Sequence, residues 1–280
     1  MFDQYPQMKR TIRLALEEDL GNGDLTTEAT IDPHVRGEAS LIAREELVLA
    51  GMPVFRQTFL EISPDVVFED RFNEGDTVPS GEEVSILKGP LAVMLMGERT
   101  ALNFLQRMSG IATLTWQYVK RIGDSKARIL DTRKTAPGLR WFDKYAVRVG
   151  GGSNHRFGLF DGILIKDNHV AAAGSITNAV RLAKRGVCHT LKIEVEVEDL
   201  TGVEEACRAG ADAILLDNMG TEELREAVRL IDRAAIIEAS GGITIDTVRE
   251  IATTGVDLIS VGALTHSAKA ADFSLEIIPQ

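Results

Sequence analysis

Cationic side chains are concentrated between residues 128 and 169. This stretch holds eight Lys and Arg residues against four Asp and no Glu, although the whole chain carries a net charge of −11. Guanidinium forks bind carboxylates and phosphates through paired hydrogen bonds. The stretch therefore indicates a pocket for a small anionic ligand, and chance clustering on a solvated face is the alternative. The side chains that could contact such a ligand are Arg133, Lys134, His155, Arg156 and Lys166.

Acidic side chains follow in later strand-like runs. Glu194 and Glu196 stand two residues apart and therefore share one face of a strand, and Asp217 ends the next run. Carboxylates are hard oxygen donors that suit Mg²⁺ when the ion is shared with a phosphate-bearing ligand. The alternative for the glutamates is an outward-facing row on an amphipathic strand. All three acids are candidate metal or ligand contacts.

Glycines after two further apolar runs could hold a phosphate. Ser240-Gly241-Gly242 precedes a helix-like segment, and Gly262 follows the last run with His266 beyond it. Backbone N–H groups near a helix N-terminus bind phosphate, although a tight turn would also explain the glycine pair. Cations, acids and a phosphate cradle together indicate a diphosphate-bearing sugar beside a carboxylate-bearing acceptor.

A regular alternation of strands and helices must position these residues. In a parallel β/α arrangement the carboxyl ends of the strands converge on one mouth, where the candidates fall, and six such units favour a β/α barrel over an open sheet. The predicted strands are Ala127–Asp131, Gly162–Lys166, Lys192–Val197, Ala213–Leu216, Ala235–Ile237 and Leu258–Val261. The predicted helices are Leu200–Ala209, Thr221–Asp232 and Ile245–Thr253.

The first third of the chain has a different pattern. An amphipathic helix is predicted over the first 20 residues, and a long helix from Pro90 to Ile122, with an interruption at Gly110 as an option. Short strands are predicted at Glu38–Ala43, Val66–Glu69 and Val84–Leu87. We therefore predict an N-terminal α/β domain with a helical connection over residues 1–110 and a barrel over 111–267. The strand-like tail, Phe273–Ile278, is expected to return to the first domain.

Composition excludes several classes of protein. A chain of 280 residues that is 44% hydrophobic can bury a core, and no apolar stretch approaches the roughly 18 residues of a membrane span. The negative net charge argues against nucleic acid as a partner. Only two cysteines are present, without CxxC spacing, which favours free thiols and the cytoplasm. No histidine pattern supports a zinc site.

Several motifs, in order along nearly the whole chain, resemble those of the quinolinate phosphoribosyltransferase family. The most specific are DTRKTAPGLR (Asp131–Arg140) and KYAVRVGGGSNHRFGLFDGILIKDNH (Lys144–His169). The others are EEDLGNGDLTT, GERTALNFLQRMSGIAT, EVEVE, LLDNM, EASGGI and GVDLISVGALTHS. The resemblance implies an α/β fold with an N-terminal α/β sandwich and an incomplete β/α barrel. It also implies a homodimer in which the sandwich of one subunit covers the barrel mouth of the other, and a hexamer is an option because higher oligomers occur in the family.

The resemblance assigns roles residue by residue. Quinolinate would be held by Arg133, His155, Arg156 and Lys166, with Arg99 entering from the partner subunit. Lys134 would lie between quinolinate and phosphoribosyl pyrophosphate, and Glu196 and Asp217 would face the ribose and Mg²⁺. The 5′-phosphate would be surrounded by Ser240, Gly241, Gly242, Gly262 and His266, and Thr132 would be a further substrate contact. The catalytic set would be Lys134, Lys166, Glu196 and Asp217, and Glu196 and Asp217 would hold the Mg²⁺ cofactor, partly through the substrate. The sequence spacing from Lys166 allows either Glu194 or Glu196 to be the glutamate that faces the ribose and Mg²⁺, whereas the spacing to Asp217 favours Glu196. For His169 two roles stay open, a contact to the ligand and a hydrogen bond within its own turn.

The implied reaction moves a phosphoribosyl group from phosphoribosyl pyrophosphate to quinolinate with loss of CO2, which gives nicotinate mononucleotide for de novo NAD biosynthesis. Three alternatives stay open at this point. Lys166 could instead be the Schiff-base nucleophile of a barrel aldolase or lyase. The chain could be a non-catalytic anion-binding protein, or a relative that acts on a different acceptor.

Overall fold

The computed structural model describes residues 6–278. These residues group into two compact units. The first draws on residues 6–116, Thr135–Gly151 and residues 267–278, and the second on Gln117–Lys134 and Gly152–His266. Among the described residues, every helix is too short or too polar to span a bilayer. The first five residues of the predicted N-terminal helix lie outside the described part of the chain.

The described residues form eleven helices and twelve strands. The helices are α1 (Pro6–Leu20), α2 (Leu25–Thr30), α3 (Met52–Ile62), α4 (Leu91–Ile122), α5 (Arg140–Val149), α6 (Asp167–Ala173), α7 (Ile176–Gly186), α8 (Leu200–Ala209), α9 (Thr221–Ile231), α10 (Val248–Ala252) and α11 (Ala263–His266). The strands are β1 (Arg36–Ala43), β2 (Leu47–Val48), β3 (Val67–Asp70), β4 (Thr77–Val78), β5 (Glu83–Pro90), β6 (Arg128–Leu130), β7 (Ile163–Ile165), β8 (Ile193–Val197), β9 (Ala213–Asp217), β10 (Ile236–Ser240), β11 (Leu258–Ser260) and β12 (Phe273–Ile278).

The first unit is built on an antiparallel sheet in the order β12-β1-β5-β3. Alternate residues of its strands face the core, as the pairing of Leu41 in β1 with Leu275 in β12 illustrates. Three rings, Phe55, Phe59 and Phe68, pack edge to face or tilted within that core. The three short strands predicted here are present, and the predicted tail strand is confirmed as β12, which pairs with β1 along its whole length.

Helix α4 runs without a break past Gly110, so the optional interruption there was wrong. The glycine serves close packing instead of ending the helix. A Cβ at this position would lie 3.0 Å from the carbonyl carbon and closer still to the carbonyl oxygen of Lys269, and 3.1 Å from the backbone nitrogen of Ala271. The predicted helix start is also off by one residue, because Pro90 is the last residue of β5. The boundary proposed between residues 110 and 111 falls inside α4.

Two buried polar arrangements tie α4 and α5 into the first unit. Arg107 of α4 donates two hydrogen bonds of 2.8 Å to the fully buried carboxylate of Asp143 in α5. The Tyr145 hydroxyl donates to Glu74 at 2.6 Å, and Glu74 also accepts the N–H of Met52 at 2.8 Å at the start of α3. Burial, followed by the negative charge of Glu74, raises the pKa of Tyr145.

The second unit is a parallel sheet in the order β6-β11-β10-β9-β8-β7. Its edge strands, β6 and β7, are not paired with each other within the described residues. A single bridge joins Leu130 of β6 to Ser153, which lies in the segment before β7. The predicted incomplete β/α barrel is confirmed. Helix α8 has the predicted bounds, whereas α10 is shorter than predicted because Thr244 and Thr247 hydrogen-bond each other in a turn before it.

Two aspartates that precede strands satisfy the backbone of the neighbouring strand. Asp212, just before β9, accepts the N–H of Ile193 at 2.8 Å, and Asp257, just before β11, accepts the N–H of Ile237 at 2.9 Å. A free strand N–H would otherwise remain at the amino end of the sheet. The repeated Gly-x-Asp pattern of the sequence therefore fixes the strand ends opposite those that carry the candidate site.

Candidate active site

The second unit contains all but one of the predicted site residues, and most of them lie at or beyond the carboxyl ends of its strands, whereas His155 and Arg156 lie in the segment before β7. Thr132, Arg133 and Lys134 follow β6, Lys166 follows β7, Asp217 ends β9, and Ser240 ends β10. Glu196 lies one residue before the end of β8, and Gly262 follows β11 directly. The exception, Arg99, is an exposed residue of α4 in the first unit.

Asp131 holds the glycine-rich segment against the end of β6. Its fully buried carboxylate accepts the Nδ2–H of Asn154 at 2.6 Å and the backbone N–H of His155 at 2.9 Å. Together with the bridge at Ser153, these bonds extend the edge of the barrel sheet. Sequence reasoning did not assign Asp131 a role, although its place before Thr132 at a strand end was a signal.

Two guanidinium groups of the second unit, those of Arg133 and Arg156, interact electrostatically. Burial, and after it the positive charge of Arg133, lowers the pKa of Arg156, while Glu194 and Asp161 act in the opposite direction. Arg156 is oriented by donation from Nη1 to the carbonyl oxygen of Gly162 at 2.9 Å. Neighbouring cations in a partly buried setting repel each other unless an anion lies between them. The pair is therefore arranged to receive one.

The two glutamates of β8 both face the barrel interior, and they have different partners. Glu194 Oε2 lies 3.1 Å from Nε2 of His155, and Glu196 forms an ion pair with Nζ of Lys166. Their side chains are only 12% and 14% exposed. The outward-facing alternative is thus wrong for both residues. Glu196 is the glutamate nearer the carboxyl ends of the strands, where Asp217 also lies.

Lys134, Gly262 and His266 meet beside β11. A Cβ on Gly262 would lie 3.1 Å from Nε2 of His266 and 3.2 Å from Cδ of Lys134. The carbonyl of Lys134 accepts a hydrogen bond from the Thr265 hydroxyl at 2.9 Å, and its N–H donates to Oγ1 of Thr132 at 3.0 Å. The absence of a side chain at Gly262 therefore opens space between two cationic or ionisable groups.

The ends of β9 and β10 pack tightly against each other. Asn218 has a left-handed backbone (φ 57°), donates its side-chain N–H to Asp217 at 2.8 Å, and donates its backbone N–H to the carbonyl of Ser240 at 2.9 Å. A Cβ on Gly241 would overlap the side chain of Asn218 and lie 2.7 Å from its backbone nitrogen. Asn218 orients Asp217, a role that the sequence analysis did not anticipate.

Comparison with known proteins decides the family. A family model for the N-terminal domain of quinolinate phosphoribosyl transferase matches residues 24–109, and the model for the C-terminal domain matches residues 111–276. The chain belongs to the quinolinate phosphoribosyltransferase family.

Relatives in the quinolinate phosphoribosyltransferase family match the chain over nearly its full length. A probable carboxylating nicotinate-nucleotide pyrophosphorylase of Bacillus subtilis is 43% identical over 97% of this chain and 93% of its own. A protein of the same description from Methanothermobacter thermautotrophicus is 45% identical over 96% and 99%. The crystal structure of NadC from Streptococcus pyogenes is 45% identical, covers 98% of both chains and superposes with a TM-score of 0.94.

Family membership and geometry favour the transferase over the Schiff-base aldolase considered for Lys166. The relatives are named as pyrophosphorylases or phosphoribosyltransferases. In the structure Lys166 is ion-paired with Glu196, and an ammonium group in an ion pair has no lone pair with which to attack a carbonyl. The aldolase reading therefore has no support in the site.

His169, whose role the sequence left open, caps helix α6 in this quinolinate phosphoribosyltransferase family member. Its Nδ1 accepts the backbone N–H of Lys166 at 3.0 Å, and its own N–H donates to the carbonyl of Lys166 at 2.8 Å. Reciprocal bonds of this kind stabilise the first turn of a helix. His169 is a turn residue that supports the backbone of Lys166.

Proposed function

We propose that this chain transfers a phosphoribosyl group from phosphoribosyl pyrophosphate to the ring nitrogen of quinolinate and releases pyrophosphate and CO2. The product would be nicotinate mononucleotide, an intermediate of NAD biosynthesis. The observation that carries the proposal is the electrostatic interaction of Arg133 with the partly buried Arg156, because two guanidinium groups within each other's field suit a planar dianion. The names of the relatives support the same substrate and reaction.

The two substrates would occupy different sides of the barrel mouth. Quinolinate would lie against Arg133, His155, Arg156 and Lys166. The 5′-phosphate of the second substrate would lie against the backbone of Gly241, Gly242 and Gly262, next to His266. Lys134 is adjacent to Gly262, so its ammonium can reach both substrates. Orientation of the two reactants in this way converts a bimolecular step into an effectively unimolecular one.

Glu196 and Asp217 fit the requirements of a magnesium ion. Both are carboxylates near the carboxyl ends of adjacent paired strands, β8 and β9. Mg²⁺ is held in proteins by one or two carboxylates together with substrate phosphates and waters, so two such donors suffice. When bound, the ion would neutralise negative charge that develops on the departing pyrophosphate.

The chain's own residues supply the rest of the mechanism by electrostatics. As the bond from ribose C1 to pyrophosphate breaks, the carboxylates of Glu196 and Asp217 stabilise the positive charge at C1, and Lys134 stabilises the leaving group. The pyridine nitrogen attacks C1 and becomes cationic. The C2 carboxylate then departs as CO2, the electron pair left on C2 is stabilised by the cationic nitrogen, and a proton completes the product. The arginines retain the remaining carboxylate.

The direct test is an assay with quinolinate, phosphoribosyl pyrophosphate and Mg²⁺ that measures nicotinate mononucleotide, pyrophosphate and CO2. We expect the three products in equal amounts. Nicotinate serves as the control acceptor, because it lacks the C2 carboxylate and cannot release CO2. Turnover of nicotinate without turnover of quinolinate would contradict the proposed acceptor, and binding of both substrates without pyrophosphate release would indicate an anion-binding protein.

We further propose that the enzyme is a homodimer in which the exposed Arg99 completes the site of the partner subunit. Arg99→Ala and Lys166→Ala subunits should each be inactive alone. Random reassortment should restore about a quarter of wild-type activity, because half of the dimers then contain one intact site. Mixing wild-type subunits with subunits that carry both substitutions is the matched control, because the mixed dimers then contain no intact site and only the wild-type homodimers, about a quarter of all dimers, stay active, whereas action in cis would leave about half of the activity. No recovery after verified subunit exchange would contradict action in trans.

The glycine cradle allows a matched pair of variants. Gly241→Ala places a Cβ against the backbone of Asn218, whereas Gly242→Ala meets open space, although both positions have positive φ. We expect Gly242→Ala to cost about 1 kcal/mol of stability. Gly241→Ala should cost more and raise KM for phosphoribosyl pyrophosphate at least about tenfold, since it displaces Asn218 and Asp217. Equal effects of the two variants would argue against this contact.

A cytoplasmic location is part of the proposal. Cys188 and Cys207 are both free thiols, as is usual in a reducing compartment.

A further inference from the structure

Three ionisable side chains from three segments meet in the interior of the barrel. Glu194 comes from β8, Glu238 from β10, and His155 from the segment before β7. Nε2 of His155 lies 3.1 Å from Glu194 Oε2 and 3.7 Å from Glu238 Oε1. All three line a cavity of about 500 Å³ that is also bordered by the first residues of the barrel strands. The reaction as described above gives Glu238 no task.

Glu238 is the most buried member of the cluster. Its side chain is 1% exposed, and Oε1 has no hydrogen-bond partner among the described residues. The groups that interact with it are Glu194 from β8, His155 from the segment before β7 and the uncharged hydroxyl of Ser260 from β11. Its register neighbour on β9 is the apolar Leu215. Arg128, Arg156 and Lys192 line the same cavity, and Arg156 interacts with Glu194, the acid beside Glu238.

Two adjoining carboxyl groups away from water cannot both be ionised without a large cost, so one of them holds a proton. Glu238 is more buried than Glu194, and Glu194 has the nearer contact to His155. Burial, followed by the negative charge of Glu194, raises the pKa of Glu238 to about 7, although His155 and Ser260 act to lower it. Geometry and electrostatics thus place the proton on the same residue.

The tautomer of His155 fits this arrangement. Its Nδ1 accepts the backbone N–H of Arg156 at 2.7 Å, so the ring proton is on Nε2, which faces the two acids. A metal ion in the cluster would have to displace that proton, whereas a metal-bound histidine normally donates from its other nitrogen. The guanidinium of Arg156 also interacts with Glu194. Both features favour a shared proton over a bound cation.

We propose that Glu238 is a positioning residue whose protonated carboxyl group donates a hydrogen bond to Glu194. Glu194 in turn accepts a hydrogen bond from Nε2 of His155. Because Nδ1 of His155 accepts the N–H of Arg156, this chain of contacts holds in place the backbone that presents Arg156 to quinolinate. The inference rests on the proposed function for its substrate. The role proposed for Glu238 places a second set of side chains behind the groups that bind the anion. Quinolinate binding then depends on the proton of Glu238, although Glu238 does not contact the substrate.

The kinetic test compares Glu238→Gln with Glu238→Ala across pH. Glutamine has the shape of the protonated acid and keeps a donor, so we expect a quinolinate KM near that of the wild type at pH 6 and no rise at higher pH. The wild-type KM should rise as pH increases through about 7. Glu238→Ala should raise KM about ten- to a hundredfold at every pH with kcat within about twofold. A glutamine variant that is as impaired as alanine at pH 6 would overturn the proposal.

Infrared spectroscopy tests the proton without any assay of activity. The wild-type protein should show the carbonyl band of a protonated buried carboxylic acid at pH 6, the band should fade as pH rises through about 7, and Glu238→Gln should lack it. Absence of the band in an active wild-type enzyme would overturn this inference and leave the proposed function standing. Stoichiometric binding of Zn²⁺ or Mn²⁺ to the wild type and not to Glu238→Gln, measured by equilibrium dialysis, would also overturn it.

Thermal stability supplies a third readout with a defined sign. The pKa of Glu238 is raised from 4.5 to about 7 on folding, so between these values the folded chain binds more protons than the unfolded chain. Stability from this group is therefore complete below pH 4.5 and is lost as pH rises through about 7. We expect the difference in Tm between Glu238→Gln and the wild type to grow in favour of the variant across this window. A constant difference would contradict a proton on Glu238.

Discussion

Replacing Arg133 with alanine is expected to lower kcat/KM for quinolinate by about 10²- to 10³-fold and to leave no binding of quinolinate that can be measured at ordinary concentrations. The positive charge of Arg133 acts on Arg156, and the two groups would share one dianion. Removal of one fork leaves a carboxylate of the substrate without its partner in a partly buried site. Truncating one member of such a pair costs about 2–5 kcal/mol.

Two further variants sharpen the measurement on Arg133. Arg133→Lys keeps the charge without the planar fork and should give an intermediate loss, since a lysine cannot bind a carboxylate through two parallel bonds. Arg181→Ala removes an exposed arginine from α7 and should leave the kinetics unchanged. Isothermal titration with quinolinate, together with steady-state kinetics, provides the values. Unchanged quinolinate affinity in Arg133→Ala would contradict the assigned site.

Replacing Arg107 with alanine is expected to be the most destabilising of the single substitutions considered. The carboxylate of Asp143 is fully buried and accepts both bonds from Arg107, so the variant would leave a charge buried without its cation. Breaking a buried pair in this way costs about 3–5 kcal/mol. For a protein of this size, thermal denaturation should show a fall in Tm of about 6–20 °C.

A second arginine–glutamate pair in the same unit is the matched control. Arg13 bonds Glu61, but Arg13 is 63% exposed and Glu61, although only 9% exposed, keeps a hydrogen bond from Gln57, so Arg13→Ala should cost only about 1 kcal/mol. The double variant Arg107→Met, Asp143→Leu should recover part of the stability that Arg107→Ala loses, because no charge then remains buried. If Arg107→Ala and Arg13→Ala were equally mild, the buried pair would not be stabilising the first unit.

The barrel could be predicted from the sequence because its signals are local. Each βα unit carries its own apolar run and amphipathic helix, so α8 was placed to the residue and the chemistry-bearing residues were placed at strand ends. Short strands of the first unit were recognised for the same reason. Helix α5 was missed, because it follows a segment with Pro137 and Gly138 that reads as a loop.

Long-range partners could not be read from the sequence. Glu194 and Glu196 have the same residue type and face, and only the fold shows that one contacts His155 and the other Lys166. Gly110 looks like a helix breaker until the carbonyl of Lys269 is seen to lie against it. Asp131 and Glu238 belong to ordinary strand patterns, and their importance depends on segments that lie 22 or more residues away.

The pairing of β12 with β1 has a consequence for synthesis on the ribosome. The strand that pairs with the outer side of β1 is translated after every strand of the barrel, the last of which ends at Ser260. Until β12 has been made, β1 is an open edge with unpaired backbone groups, a state that invites contact with other nascent chains. The barrel strands can therefore all be present while the first sheet still lacks β12, and a ribosome that stalls between Ser260 and Phe273 would leave β1 exposed.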